Sequence, residues 1–275
     1  MPRAKRWVIP ENDKELNVNI YIPAEIWGLM LVSLLTLGSH AGLYLFDKWF
    51  ARRKFSASNE VAGIIFGALS LIYSLIVAFL IVAVWENYGQ LYRTIEKETD
   101  NLNSVLVHSN LLPDSLQQPV SLALKEYCER VTGEEWDMAD VQKPFQGSAI
   151  PRLRSLLFAA EKKNMIEGKL LGIMDERLST ITELRSDRLS HTRSYVPQLI
   201  WFILIIDSLL VIFFSWFFQM QSAALKRIFL SFLWIIIGLS LFLIYMLYHP
   251  FAGSTRVSNA GYQQILKIIS ETDQN

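Results

Sequence analysis

The sequence predicts an all-α polytopic membrane protein with four spans and a helical extramembrane domain between the second and third spans. Three observations predict this fold class. Hydrophobic residues make up 52% of the 275-residue chain, and they are concentrated in four long stretches. Each stretch reaches the ~20 residues that an α-helix needs to cross a hydrocarbon core. The segment between the second and third stretches has apolar residues three and four apart, which is the spacing of helices rather than strands.

The four spans are predicted at residues 24–46, 61–85, 197–218 and 228–248. The first is too long for the h-region of a secretory signal and follows a polar tail at 1–23, so we expect it to remain in the mature protein. Four stretches of this length rarely occur together in a soluble chain. Buried core helices of a soluble domain are therefore the weaker interpretation.

Residues 88–196 are predicted to form the helical domain outside the bilayer. We expect its first helix to continue out of the membrane from the second span and to end at Pro113. Pro144, Gly147 and Pro151 mark the loop before its last helical segment. Cys128 is the single cysteine, so it can form no internal disulfide, and we interpret it as a small apolar helix residue.

The C-terminal segment, 249–275, is predicted to turn back from the fourth span and end in a short amphipathic helix. Its apolar stripe consists of Tyr262, Ile265, Leu266 and Ile269. A helix of about a dozen residues is unstable alone in water, so the stripe needs a surface. The segment has fewer cations than an anionic-membrane anchor usually carries. We therefore expect it to dock on the extramembrane domain.

Charged residues near the spans leave the orientation in the membrane open. The two short loops are basic, with Lys48, Arg52, Arg53, Lys54, Lys226 and Arg227. By the positive-inside rule they are cytoplasmic, which places the extramembrane domain outside. The N-terminal tail and the residues before the third span are also basic, which indicates the opposite. A loop of more than ~60 residues exceeds the length over which the rule applies.

No catalytic, metal-binding or phosphate-binding motif is recognisable, and we expect neither an enzyme nor a bound cofactor or metal. None of the four histidines has the spacing of a helical zinc pair or of a nucleophile's base. Carboxylates of the central segment alternate with Lys and Arg, as on a solvated helix face. The net formal charge of +0 gives no reason to expect nucleic acid. The expected partners are the lipid bilayer, small inorganic ions and further copies of the chain.

Two polar residues within the spans are informative, because a charge in hydrocarbon is costly. Asp207 is the only acid deep in a span. It is either a titrating group of an ion path, or a neutral carboxyl that is hydrogen-bonded to a neighbouring helix through Ser208 or Ser215. His40 lies nearer a membrane end, and there we favour a hydrogen bond between helices over a proton relay.

The second span has two distinct faces. Small residues three and four apart share one face, which we interpret as a helix-packing face because small side chains let helix backbones approach closely. They are Gly63, Gly67, Ser70 and Ser74. The other face is purely apolar and carries Leu71, Leu75 and Phe79. Lipid contact or bundle core is its simpler interpretation, and a pore constriction is the functional one.

Five short motifs resemble those of a bacterial membrane family, the bestrophin-like domain family. The motifs are "NEVAG" at 59–63, "AF" at 78–79, "VWENY" at 84–88, "EEW" at 134–136 and "HPFAG" at 249–253. Their order around the four spans extends the resemblance over roughly residues 25 to 270. The family's name implies a distant similarity to bestrophins, which are pentameric anion channels with a pore formed by the second span and extended by a cytosolic helical domain.

The resemblance implies that Leu71, Leu75 and Phe79 occupy the apolar neck of such a pore. Two features differ from bestrophins: "LIVAVWENY" at 80–88 replaces the polar stretch below the neck, and the acidic cluster of the calcium clasp is not recognisable. We expect an oligomeric anion channel of the bacterial inner membrane, a pentamer if the bestrophin resemblance holds. The alternative is a non-conducting scaffold or sensor whose helical domain binds a partner. A transporter ranks below both, because no inverted repeat or broken midplane helix is visible.

Overall fold

The computed structural model describes residues 24–50, 59–136, 149–191, 196–218, 220, 222–251 and 256–272. The predicted N-terminal tail at 1–23 lies outside these residues, as do the predicted loop markers Pro144 and Gly147. The third predicted loop marker, Pro151, is wrong, because it lies in the first turn of the helix Ala149–Glu161, where proline is tolerated.

Eight α-helices and one π-helical turn make up this part of the chain. They are α1 (Ala24–Phe50), α2 (Asn59–Ser109), α3 (Asp114–Arg130) with the π-turn Val131–Glu135, α4 (Ala149–Glu161), α5 (Gly168–Ser190), α6 (Gln198–Ser215), α7 (Ala223–Tyr248) and α8 (Ala260–Thr272). The described residues contain no strand, and the predicted all-α, four-span class is confirmed.

Four of the described helices are long and apolar enough to cross a membrane: α1, α2, α6 and α7. The predicted second span at 61–85 is only the first half of α2, which continues without a break to Ser109. No proline occurs in the sequence between residues 59 and 112, so nothing forces the helix to end at the membrane surface. At 1.5 Å per residue the helix is about 75 Å long.

The extramembrane domain has one continuous core, formed by the second half of α2 together with α3, α4, α5 and α8. Leu91, Leu102 and Val105 of α2 are fully buried in it. Cys128 of α3 lies in the same core, and burial raises the pKa of its thiol to about 12. The thiol is therefore protonated at neutral pH, and its surroundings are those of a small apolar side chain.

In the membrane bundle α1 packs along α7, and α2 packs against α6 and α7. Glycines allow the closest approaches. Gly28 receives the ring of Phe242, where an added Cβ would lie 2.5 Å from the ring. Gly42 receives the indole of Trp216 from the end of α6. Helix α1 is thus fixed to the bundle through small residues.

The C-terminal helix α8 lies on the extramembrane domain, against α2, α3 and the π-turn. Its stripe is buried at Tyr262, Ile265 and Ile269. Gly261 brings the backbone so near to α2 that a Cβ there would lie 2.8 Å from the methyl carbon of Thr99. The apolar stripe therefore covers the domain core rather than facing lipid.

Candidate functional site

The apolar face of α2 points away from its own bundle. Leu71, Leu75 and Phe79 are 69%, 54% and 68% exposed, and their spacing by four keeps them on one side of the helix. The opposite side of the same helix carries Tyr73 and Val77, which are buried in the cluster shared with α6 and α7. The predicted constriction residues thus form an outward stripe at membrane depth, which we call the α2 stripe.

The predicted helix-packing face of α2 is open at its two glycines in the part of the chain that the structure describes. A Cβ added at Gly63 or Gly67 would meet no described atom within 4 Å. The hydroxyl of Ser74 donates to the carbonyl of Leu71, 2.9 Å away, while the Ser70 hydroxyl is buried with no hydrogen-bond partner among the described residues. The space beside Gly63 and Gly67 is wide enough for a further helix to approach α2 there.

Asp207 lies half-buried on α6. The two serines considered as its partners bind elsewhere: the Ser208 hydroxyl donates to the Leu204 carbonyl (2.7 Å), and the Ser215 hydroxyl donates to the Ile212 carbonyl (2.5 Å). Within the described ranges Asp207 has no hydrogen bond or ion pair. Neither serine therefore supplies the structural partner that a purely architectural role would require.

His40 joins α1 to α7. Its Nε2 atom lies 2.9 Å from the hydroxyl oxygen of Ser231, and its ring meets the indole of Trp234 edge-on at a centroid distance of 4.8 Å. This is the arrangement of a histidine that holds two helices together.

A buried charge cluster, formed by Glu98, Glu135 and Arg188, lies in the core of the extramembrane domain. The three side chains are 0%, 2% and 1% exposed. The Nε and Nη2 atoms of Arg188 donate to Glu98 at 2.9 and 3.3 Å, and Nη2 also donates to Glu135 at 2.9 Å. Arg185 donates to Glu135 from Nη2 at 2.7 Å, and the Tyr127 hydroxyl donates to Glu98 at 2.6 Å. The cluster thereby joins α2, α3, α5 and the π-turn.

Pairing keeps Glu135 and Arg188 charged despite their burial. Burial alone would raise the pKa of Glu135, but the hydrogen bond from Arg185 and the charges of Arg188 and Arg185 hold that pKa below its usual value. Burial alone would lower the pKa of Arg188, but the charge of Glu98 holds it well above its ordinary value. The described residues contain no group of three His, Cys, Asp or Glu that could hold a metal ion.

Tyr262 of the C-terminal helix covers the cluster. Its ring centroid lies 5.9 Å from the guanidinium carbon of Arg188, within cation–π range. Its hydroxyl is buried without a hydrogen bond of normal geometry to any described residue. Burial, opposed by the charge of Arg188, raises the pKa of Tyr262 well above its ordinary value. The ring therefore stays neutral and acts as the apolar lid of the cluster.

Three of the family-like motifs supply contacts within the extramembrane domain. "EEW" supplies Glu135 to the cluster, and its Trp136 packs against both Tyr262 and Phe251 of "HPFAG", at centroid distances of 5.9 and 5.2 Å. "VWENY" supplies Asn87, whose Oδ1 accepts a hydrogen bond of 2.7 Å from the Nδ1 atom of His191 at the end of α5. The motifs therefore mark the junction between the membrane bundle and the domain.

The alternation of charges in the central segment predicted solvated carboxylates, and for Glu98 and Glu135 this prediction is wrong. A signal was present in the sequence. Glu98 lies three residues after Ile95 and four before Leu102, in the register of the buried face of α2. A charge at a core position of a helix needs a buried partner.

The family model described as "Bestrophin-like domain" matches residues 33–262. The chain belongs to the bestrophin-like domain family. The match includes all five motifs, the four spans apart from the start of the first, and the extramembrane domain. No curated protein matches the sequence.

Solved structures of bacterial bestrophin homologs share the fold. A Leu-to-Thr variant of a homolog from Klebsiella pneumoniae has a TM-score of 0.69 at 11% identity, covering 90% of this chain and 99% of that chain. An Ile-to-Thr variant of such a homolog from the same organism has a TM-score of 0.67 at 13% identity, covering 88% and 99%. The bestrophin-like chain is thus an integral membrane protein with the fold of these homologs.

Proposed function

We propose that the protein is a homo-oligomeric ion channel that conducts anions, with copies of α2 around a common axis. One observation carries the proposal: the α2 stripe is exposed at membrane depth on a helix whose other side is packed. Because the stripe lies outside the bundle of a single chain, a pore lined by it requires several copies in a closed ring. Membership in the bestrophin-like family and the shared fold support this function.

In such a ring, Leu71, Leu75 and Phe79 form successive apolar layers. Residues four apart on a helix are separated by about 6 Å along the axis, so the constriction is about 12 Å long. An apolar constriction controls conduction by dewetting and passes weakly hydrated ions more readily than strongly hydrated ones. Selectivity then depends on the charges at its two mouths.

The small-residue face of α2 fits the same assembly. Gly63 and Gly67 have open space beside them in the single chain, and small residues let a neighbouring helix approach closely. In the proposed ring this face receives a helix of the adjacent copy. By resemblance to bestrophins the ring contains five copies, and the membrane is the bacterial inner membrane.

The test combines imaging with ion flux. Single-particle images of the detergent-purified chain are expected to show a closed ring with α2 at its axis. In proteoliposomes, Phe79→Ala should increase anion flux severalfold, because it widens and wets the constriction. Phe202→Ala is the matched control, since Phe202 is 62% exposed on α6, outside the α2 stripe, and it should leave flux unchanged.

If the protein is a monomer or dimer that conducts no ions, the proposal of a channel is wrong. That outcome would favour the scaffold or sensor, whose helical domain binds a partner. If a ring forms and its ion flux responds equally to Phe79→Ala and Phe202→Ala, the protein is still a channel, but the α2 stripe is not its constriction.

A further inference from the structure

We propose that a crevice between α1 and α7 binds the phosphate headgroup of an anionic phospholipid. The crevice has a volume of about 620 Å³, within the usual range of ligand sites. It lies at the end of the bundle away from the extramembrane domain, where α1 ends and α7 begins. Its polar lining consists of His40, Tyr44, Asp47, Lys226, Arg227 and Ser231. The site uses neither α2 nor the proposed pore, so it stands independently of the proposed function.

Two cations of the first turns of α7 supply the attraction for a phosphate. The ammonium of Lys226 is positioned by the carbonyl of Trp216, 3.0 Å away. It also lies 3.9 Å from a carboxylate oxygen of Asp47, with side chains 15% and 60% exposed. Arg227 donates from Nε to the carbonyl of Ala223 at 3.3 Å and has no ion pair with any described residue. With one carboxylate against two cations, the lining has a net formal charge of +1.

Hydrogen-bonding groups at the inner wall are already ordered. The Ser231 hydroxyl lies 2.8 Å from the carbonyl of Arg227 and 2.9 Å from Nε2 of His40. If the hydroxyl donates to the carbonyl, it accepts from Nε2–H, and both groups are then fixed in place. These two donors are used within the wall, so the N–H groups of Lys226 and Arg227 donate to the phosphodiester, which accepts several hydrogen bonds.

The surroundings of the crevice favour a lipid over a free phosphate ion. Large apolar and aromatic side chains are exposed at the mouth of the crevice, on the outer surfaces of α1 and α7, where acyl chains lie against a membrane protein. They are Tyr44 and Ile228 of the lining and the adjoining Leu45 and Phe229. Trp49, exposed near the same end of α1, is typical of the membrane–water interface. A phospholipid satisfies both the polar lining and the apolar rim, whereas inorganic phosphate satisfies only the lining. Basic pockets between spans are a known form of headgroup site.

Thermal unfolding of the full chain, delipidated in a neutral detergent, tests the proposal. Phosphatidylglycerol is expected to raise Tm in a concentration-dependent way, because a ligand of the native state stabilises it by mass action. Phosphatidylcholine and inorganic phosphate should raise it much less. Arg227→Gln should weaken the apparent affinity for phosphatidylglycerol about tenfold, a loss of ~1.4 kcal/mol. Lys48→Gln, a charge change at the same end of α1 but outside the lining, should preserve the wild-type response.

Three results would overturn the proposal. An equal response to phosphatidylcholine would show that lipid charge is not recognised, and an equal response to inorganic phosphate would show an anion site without lipid. A full response in Arg227→Gln would place the lipid elsewhere. Arg227→Gln is preferred to a Lys226 variant, because Lys226 also binds the Trp216 carbonyl. Lipids retained per chain in native mass spectrometry provide an independent count for the same variants.

Discussion

The extramembrane domain and the membrane bundle use the same helix, α2, in opposite ways. In the domain, α2 buries Leu91, Leu102 and Val105 completely against helices of its own chain. In the bundle, only 17% of the most apolar stretch of α2 is buried, and only 11% of that of α1. The domain therefore has a complete core within one chain, whereas the spans leave most of their apolar surface for lipid or for other copies. Substitutions in the two regions should consequently change different observables.

The largest effect is expected where the domain core contains charge. Arg188→Met leaves Glu98 and Glu135 buried with fewer partners, and breaking a buried ion pair from one side costs about 3–5 kcal/mol. The measurement is the free energy or temperature of unfolding. Arg154→Met is the matched control, because its pair with Asp175 is 43% and 25% exposed, and an exposed pair contributes about 1 kcal/mol or less. Equal losses in the two variants would mean that the cluster is not a core element.

Two substitutions of Tyr262 distinguish the contribution of its ring packing from that of its hydroxyl to the stability of the domain. Tyr262→Ala removes a fully buried ring above Arg188, and truncation of a large core side chain typically costs about 3 kcal/mol. Tyr262→Phe should cost much less, because it keeps the buried ring and removes only the hydroxyl, which interacts with Glu98. Both can be measured as shifts in Tm, together with the assembly state. A loss in Tyr262→Phe as large as in Tyr262→Ala would reveal a hydrogen bond to that hydroxyl.

Acidification should lower the stability of the extramembrane domain by protonating Glu135. Its pKa is lowered in the folded protein, so its contribution to stability is complete above the ordinary Glu pKa of ~4.3 and is lost as pH falls through the lower, folded-state value. We expect Tm to fall on acidification below about pH 4.3, and Glu135→Gln to flatten that part of the profile. The measurement is Tm against pH for both forms, and parallel profiles would contradict the assignment.

Substitutions at two glycines, Gly67 and Gly42, test how the membrane bundle packs between copies and within one chain. Gly67→Leu has space in the single chain, so it should preserve the protomer but weaken the oligomer by separating helices of neighbouring copies. Gly42→Leu collides with the indole of Trp216 and should lower the stability of the protomer itself. Oligomer mass and Tm distinguish the two. An intact oligomer in Gly67→Leu would indicate that this face contacts lipid.

Asp207→Asn should have the smallest effect on folding. The carboxyl has no hydrogen bond or ion pair in the part of the chain that the structure describes, so the amide should replace it with little change in Tm. Anion flux is expected to change, because the amide cannot replace a carboxyl group in the ion path. If both the anion flux and Tm are unchanged in Asp207→Asn, Asp207 takes no part in ion conduction.

Hydropathy alone predicted the fold class, because long apolar stretches have few alternatives to spanning helices. The helical periodicity of "LYRTIEKETD", directly after the span, also predicted that the second span continues out of the membrane as one helix, and α2 does so. Neither pattern predicted the charge cluster. Glu98, Glu135 and Arg188 are far apart in sequence, and only the packing of α2, the π-turn and α5 brings them together.

The length of α2 has a mechanical consequence. Phe79 and Ser109 are 30 residues apart on one unbroken helix, so about 45 Å of the helix axis separates them. A tilt of about 5° around the level of Phe79 displaces the far end sideways by about 4 Å, more than half of one helical pitch. The helix is therefore a lever, and a small angular change between the spans is amplified into a large displacement at the distal end of the domain.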